Sequence, residues 1–269
     1  MPGRSIAPCR RPQALAVNLH VETLGKGPKL VMLHGWSFSS RIWERVADEL
    51  SRRFELTLID LPGHGKSPPA PVFSYDALLE RLAQELMPRA HVLGWSLGGS
   101  LALALALRVP RRVAKLVLVA VNPRFTTCPD WPYGLDPDVL SGFRDSLAQD
   151  AHATVQRFLA LVTRGSATAA AELRYLRGQL RRSGLPDATA LAAGLDVLRD
   201  IDLRARLTSL AQPTLLVYAE NDALVPADLG PLMRRQLPQS RLVTVASAGH
   251  APFLSRPQAF TGAVGDFLA

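Results

Sequence analysis

The 269-residue sequence predicts an α/β fold, a mostly parallel central sheet flanked by helices and interrupted late by a helical insertion. Three observations carry this reading. Short apolar runs of β type alternate with stretches long enough for helices. Several of these runs lack polar alternation, as expected of strands buried on both faces. From residue 122 to 186 the strand signal stops altogether. The composition, 48% hydrophobic and 20% charged, supplies a sizeable core and excludes a disordered chain. One large α/β domain accommodates this length.

An antiparallel strand or two is expected around 15–23, and parallel strands at 29–33, 55–60, 91–94, 115–120, 214–219 and 241–246. The run LVLVA at 116–120 has no polar face and fits a central strand. The longest apolar stretch, 97–107, is opened by Gly98, Gly99 and Ser100 and closed by Arg108. It falls short of the roughly 18–20 residues a membrane span needs and reads as a buried helix. The insertion begins in NPRFTTCPDWPYGLDP (122–137) and turns helical, with Leu173, Leu176 and Leu180 spaced i, i+3, i+7. The expected organisation is therefore a core of 1–121 and 187–269 carrying a helical cap, 122–186, over the carboxyl ends of the strands. Ligands bind at that edge in open α/β sheets.

Several function classes are set aside at this point. Arg4, Arg10 and Arg11 are followed by no apolar segment of secretory type, so a cytoplasmic protein without membrane association is expected. Two cysteines, Cys9 and Cys128, cannot build a disulfide framework or a four-ligand zinc site, which suits a reducing compartment. No His/Cys/Asp cluster has metal-ligand spacing, and neither metal nor cofactor is expected. The net charge of +8 raises the question of nucleic acid. Only four of the 31 basic residues are lysine, however, and the arginines are scattered from Arg4 to Arg256 without an aromatic-studded motif. Nucleic acid is not expected as a partner.

Chemistry is concentrated at Gly94-Trp95-Ser96-Leu97-Gly98. This is G-x-S-x-G placed directly after a predicted strand and before a predicted helix, the context a nucleophile elbow requires. A plain glycine-rich helix start is the alternative. A serine hydroxyl needs a base, and in this arrangement the partners follow in the order Ser, Asp/Glu, His. That order removes His20, His34, His64 and His91, and His152 lies within the insertion. His250, in ASAGHAPFLS after the last predicted strand, remains as the base. The acid is expected in the loop after 214–219, at Asp222. Glu220 lies nearer the strand end, and Asp228 lies beyond Pro226 at a helix start; both are rivals. Two backbone N–H groups must face the developing oxyanion, and Leu97 and Trp36 are the candidates. The Trp36 ring, with Phe158 and Leu161, is a candidate wall for an apolar slot. His34 is expected to bond within its own loop. Residues 60–67, DLPGHGKS, lack the spacing of a phosphate-binding loop and form a tight connection near the site.

With HGW, DLPGHGKS, GWSLGG, the Asp222 loop and SAGHAPF in order, the chain from Val31 onward resembles the α/β-hydrolase superfamily. Serine at 96 separates it from the epoxide hydrolases and haloalkane dehalogenases of that superfamily, which use aspartate there. Within the insertion, WPYGLDPDVLSGFRDSL (131–147) and RFLALVTRG (157–165) resemble the pimeloyl-[acyl-carrier protein] methyl ester esterases of biotin synthesis. The resemblance implies an α/β-hydrolase fold, a Ser96–Asp222–His250 triad and hydrolysis of the methyl ester of pimeloyl-[acyl-carrier protein], with release of methanol. It implies substrate contacts at Trp36, Ser96, Leu97, Phe158, Leu159, Ala160, Leu161, Val162 and His250. Val162 stands where the family commonly has glutamine, so a polar contact from that position is lost. The family grips the acidic carrier with cap arginines. Arg157 and Arg174 match such positions, whereas Ala153 and Ala170 replace arginine, so Arg177 and Arg181 are expected to join the docking row. The same triad would serve a carboxylesterase, lactonase or C–C bond hydrolase acting on a free small molecule, and a non-catalytic ligand-binding protein is a third class. A monomer is expected.

Overall fold

A computed structural model describes residues 17–70, 72–86 and 88–269. Cys9 and the first two residues of the strand expected at 15–23 lie outside them. A seven-stranded sheet has the order β1-β3-β2-β4-β5-β6-β7. Its strands are β1 (Val21–Leu24), β2 (Lys29–Leu33), β3 (Glu55–Ile59), β4 (Ala90–Trp95), β5 (Val113–Val119), β6 (Thr214–Ala219) and β7 (Ser240–Val245). Among the described strands only β1 runs antiparallel, pairing Val21 with Ile59 and Leu24 with Leu56 of β3; the other pairs are parallel. The parallel strands begin and end within two residues of the places the apolar runs predict. Among the described residues, one strand, β1, forms where one or two were expected. The fully apolar segments fill the middle of the sheet, and every residue of β6 is buried. The two edge strands carry charge instead, Glu22 on β1 and Arg241 on β7, which discourages edge-to-edge pairing.

Among the described residues, ten α-helices accompany the sheet: α1 (Glu44–Leu50), α2 (Tyr75–Glu85), α3 (Leu97–Arg108), α4 (Pro137–Gln149), α5 (Ala151–Thr163), α6 (Ala169–Ser183), α7 (Ala188–Asp200), α8 (Leu229–Gln236), α9 (Pro252–Ser255) and α10 (Pro257–Leu268). Helix α3 is apolar around its whole circumference and is buried from Leu97 to Leu107. Such a helix is stable only when packed on all sides. No helix among the described residues is long and apolar enough to cross a membrane.

Helices α4 to α7 fill the chain between β5 and β6. Three of them start at an aspartate whose carboxylate accepts orphan backbone N–H groups. Asp136 takes Asp138 N, Asp150 takes Ala153 N, and Asp187 takes Thr189 N and Ala190 N. The leucine row of α6 faces inward, with Leu176 buried and Leu173 and Leu180 half-buried, while Arg174, Arg177 and Arg181 are exposed.

Candidate active site

The site grows from the junction of β4 and α3. Ser96 sits between them at φ 54° and ψ −120°, a conformation that L-residues other than glycine rarely adopt. Strain of this kind costs roughly 1–3 kcal/mol and persists only where the surroundings enforce it. Backbone packing does so here. A Cβ at Gly94 would lie 2.3 Å from the Gly98 carbonyl oxygen, and one at Gly98 would lie 2.4 Å from the Leu33 and His34 carbonyl oxygens. Only glycine at both places lets the turn close this tightly. The Ser96 amide donates to Val119 O at 3.0 Å, and its carbonyl accepts from Ser100 N at 2.9 Å.

Two loops from the far half of the chain converge on this hydroxyl. His250 Nε2 lies 2.9 Å from Ser96 Oγ, and His250 Nδ1 lies 2.8 Å from Asp222 Oδ2. A carboxylate only accepts, so Nδ1 carries the hydrogen and Nε2 offers its lone pair to the serine hydroxyl. That tautomer is the one a general base needs. The Asp222 and His250 side chains are fully buried. The other Asp222 oxygen accepts from Leu224 N at 2.8 Å and Val225 N at 3.0 Å, which fixes the carboxylate plane. Neither rival acid touches the imidazole. Glu220 instead accepts from Ser247 N at 2.7 Å and braces the loop that delivers His250, and Asp228 precedes α8.

Three contacts invisible in the local sequence hold this arrangement. The Trp95 indole N–H donates to His250 O at 2.8 Å, and its ring stands 5.5 Å from the imidazole. The His250 amide donates to Val162 O, at the end of α5, at 3.0 Å. On the other side of the site, the Trp36 indole N–H donates to Leu191 O of α7 at 2.8 Å. Helices α5 and α7 are thus hydrogen-bonded to both halves of the site. Ser96 is only 5% exposed.

Leu97 opens α3, where the first amides have no acceptor within the helix and the helix dipole favours negative charge. Trp36 lies in the loop after β2, buried, with its ring edge-on to Phe158 at 4.8 Å. Phe158 is half-buried and also faces Phe38 and Phe143, at 6.2 and 6.4 Å. The contiguous run 158–162 divides between helix faces. Leu159 and Val162 are buried, Leu161 is half-buried, and Ala160 points to solvent. Arg157 and Arg177 are exposed and bond within the cap, to Thr154 Oγ1 and Gln156 Oε1, each at 3.0 Å. Among the described residues, Arg157, Arg174, Arg177 and Arg181 form no ion pair.

The loops beneath Trp36 contain two buried histidines. His34 bonds both within its loop, to Gly35 O, and beyond it, to Leu61 N. His64 donates from Nδ1 to Pro62 O at 2.9 Å. Burial lowers the pKa of both; for His64, burial and then the neighbouring His34 bring it to about 3, against the opposing fields of Asp60 and Asp187. Asp60 is held below its ordinary value: burial pushes it up, but the Lys66 amide, His34 and the Ser40 amide together outweigh that. In the unfolded chain His64 takes its proton near pH 6.5. The unfolded state therefore binds more protons below that pH, and stability falls as pH drops from 6.5 towards 3. At pH 5 the His64 contribution to this loss is about 2 kcal/mol. Thermal unfolding at pH 7 and pH 5 checks this. His64→Asn, which keeps a donor for Pro62 O, is expected to lose less stability between the two than the parent protein, and equal losses would show that His64 is not the group responsible.

Comparison with known proteins adds four findings. The model of the alpha/beta hydrolase fold family matches residues 28–257. The pimeloyl-[acyl-carrier protein] methyl ester esterase of Nitrosomonas europaea is 45% identical over 243 residues, covering 90% of this chain and 96% of that protein. The protein of the same name from Aeromonas hydrophila is 42% identical, covering 94% of this chain and 100% of its own length. Among solved structures, an esterase from Exiguobacterium antarcticum superposes with a TM-score of 0.84 at 25% identity, over 94% of this chain and 96% of the other.

Proposed function

We infer the reaction from membership: the chain belongs to the α/β-hydrolase fold family and, within it, to the pimeloyl-[acyl-carrier protein] methyl ester esterases. It hydrolyses the methyl ester of pimeloyl-[acyl-carrier protein], releasing methanol and the carrier-bound acid, in biotin synthesis. The observation that supports a serine mechanism is the bonded series Ser96–His250–Asp222, at 2.9 and 2.8 Å.

In this reading Ser96 Oγ attacks the ester carbonyl while His250 Nε2 takes its proton. The amides of Leu97 and Trp36 hold the oxyanion, and Asp222 stabilises the imidazolium. Collapse of the tetrahedral intermediate breaks the bond to the methoxy oxygen, which leaves as methanol with the proton from His250. A water molecule then gives a proton to His250 and attacks the acyl-serine, returning Ser96 and the free carboxylate. Trp36, Phe158 and Leu161 wall the acyl chain, and helices α4 to α6 act as the cap that excludes bulk water.

The carrier is met by the cap in the cytoplasm, by an enzyme that works as a monomer. Arg174, Arg177 and Arg181 lie in one exposed row on α6, with Arg157 exposed on α5. Acyl carrier proteins are acidic, so a cationic row above the site steers one in. Such steering is screened over a Debye length of about 8–10 Å near physiological ionic strength. The expected result is that kcat/KM on the carrier-linked ester falls with added salt, and falls further when Arg174, Arg177 and Arg181 are reversed to Glu. Turnover of a p-nitrophenyl ester stays unchanged under both treatments. Equal slowing of the two substrates by the triple reversal would assign the row to cap folding and remove it from docking.

A further inference from the structure

A narrow slot lies beneath α6. The loop after β2 forms one wall, with Ser37 and Phe38, and the inner face of α6 forms the other, with Leu176, Gln179 and Leu180. Phe38 joins the slot to the acyl wall, its ring 6.2 Å from that of Phe158 and 4.9 Å from that of Trp95. Gly65 and Gly184, both exposed, line its outer part. The free space between these side chains is about 20 Å³. That is room for one small group, of the width of a water or an amide.

Each wall carries a buried polar atom with no partner among the described residues. Gln179 is 4% exposed, and its Nε2 lies 2.8 Å from Glu44 Oε2 and 2.7 Å from Tyr175 Oη. A carboxylate only accepts, so the nitrogen faces Glu44 and Oε1 is left without a donor. Glu44 is itself held by Arg41 at 2.8 Å and Arg182 at 3.0 Å. On the opposite wall Ser37 is 3% exposed, and its Oγ bonds nothing among the described residues. Its backbone lies at φ 66°, in the left-handed region that favours glycine. A strained serine is thus kept where its hydroxyl makes no contact of its own. Ser39 and Ser183, also on the slot, differ in this respect, because their hydroxyls lie 3.2 Å apart and satisfy each other. A buried polar atom without a partner is destabilising until a ligand supplies one.

The slot therefore calls for a ligand that donates to Gln179 Oε1 on one side and accepts from the Ser37 hydroxyl on the other. A trans secondary amide does both, since its N–H and C=O point in opposite directions from one thin planar group. The phosphopantetheine arm of an acyl carrier protein is a narrow chain interrupted by such amides. We propose that the slot binds an arm amide, its N–H donating to Gln179 Oε1 and its carbonyl accepting from Ser37 Oγ, while the acyl chain lies along Phe158. The charge on α6 agrees with this placement. Arg177 and Arg181 are exposed on the helix whose inner face lines the slot, so a carrier held by that row has its arm beside it. The inference rests on the reading of the substrate as a carrier-linked ester and makes Ser37 and Gln179 the residues that select the arm.

Two thioesters of monomethyl pimelate test this without the carrier: one with pantetheine, which has the amides, and one with an alkyl thiol of equal length, which has none. The readout is the ratio of their kcat/KM values. Gln179→Leu and Ser37→Gly are each expected to lower that ratio about threefold, the effect of one hydrogen bond, and the double variant about tenfold. The loss appears in KM for the pantetheine ester with kcat unchanged, because the amide is bound alike before and during reaction. Damage to the cap would slow both esters together and leave the ratio where it was. An unmoved ratio in the folded variants therefore overturns the proposal and leaves the slot to an ordered water. Should Gln179→Leu fail to fold, Ser37→Gly decides alone, since it only removes a side chain from a position where glycine is unstrained. The two readings fail separately. Methanol from both esters with an unmoved ratio breaks only the slot, whereas methanol from neither breaks the substrate reading itself.

Discussion

Ser96→Ala is expected to lower ester turnover by about 10⁶-fold while the protein still folds. The hydroxyl is the only group at the elbow able to form an acyl-enzyme, and its one side-chain partner is His250 Nε2, at 2.9 Å. Removing it leaves the strained backbone as it was, since alanine meets the same restriction at φ 54° as serine. The buried imidazole nitrogen loses a hydrogen bond worth about 1 kcal/mol, which moves Tm by only about 2–4 °C in a chain of this size. Mass spectrometry after treatment with a fluorophosphonate probe gives a direct reading. The wild-type protein gains one adduct, on Ser96, and the alanine variant gains none. Labelling that survives in the variant would place the nucleophile elsewhere.

Asp222→Asn is expected to cost about 10⁴-fold, less than loss of the serine but far more than loss of a surface carboxylate. The size follows from the bonding. One carboxylate oxygen accepts from the Leu224 and Val225 amides and the other from His250 Nδ1. An asparagine that turns its oxygen to the two amides presents its NH2 to the imidazole, which must then accept at Nδ1 and carry its hydrogen at Nε2. That tautomer cannot take the serine proton. The reverse orientation sets the NH2 against two backbone donors. Stopped ester turnover with an intact fold is the expected outcome, and near-wild-type turnover would transfer the acid role away from Asp222. Glu220 and Asp228 are poor heirs, since the first is engaged with Ser247 N and the second precedes α8.

What the sequence makes legible is what local pattern encodes. Strands buried in the middle of the sheet appear as largely apolar runs, so β4, β5 and β6 could be placed to within two residues. The elbow is legible because two close backbone approaches demand glycine on both sides of Ser96. His250 follows from chain order. Asp222 is less distinct in sequence, since three carboxylates crowd the same stretch and only the fold shows which reaches the imidazole. The supports of the site are not legible at all. Trp95 to His250 O and Trp36 to Leu191 O each join residues 155 positions apart, and no periodicity announces such a pair. The run 158–162 shows the limit of a contiguous motif, because a helix turns successive residues to different faces and leaves Ala160 in solvent.

Methanol release from pimeloyl-[acyl-carrier protein] methyl ester is the decisive measurement of the substrate. The measurement compares kcat/KM for the carrier-linked ester with that for free monomethyl pimelate, using the wild-type protein at low salt. Stoichiometric methanol and carrier-bound acid are expected, with the carrier-linked ester preferred by at least about tenfold, the equivalent of 1.4 kcal/mol of carrier recognition. Equal or better turnover of the free ester, or no methanol from the carrier-linked one, would contradict it.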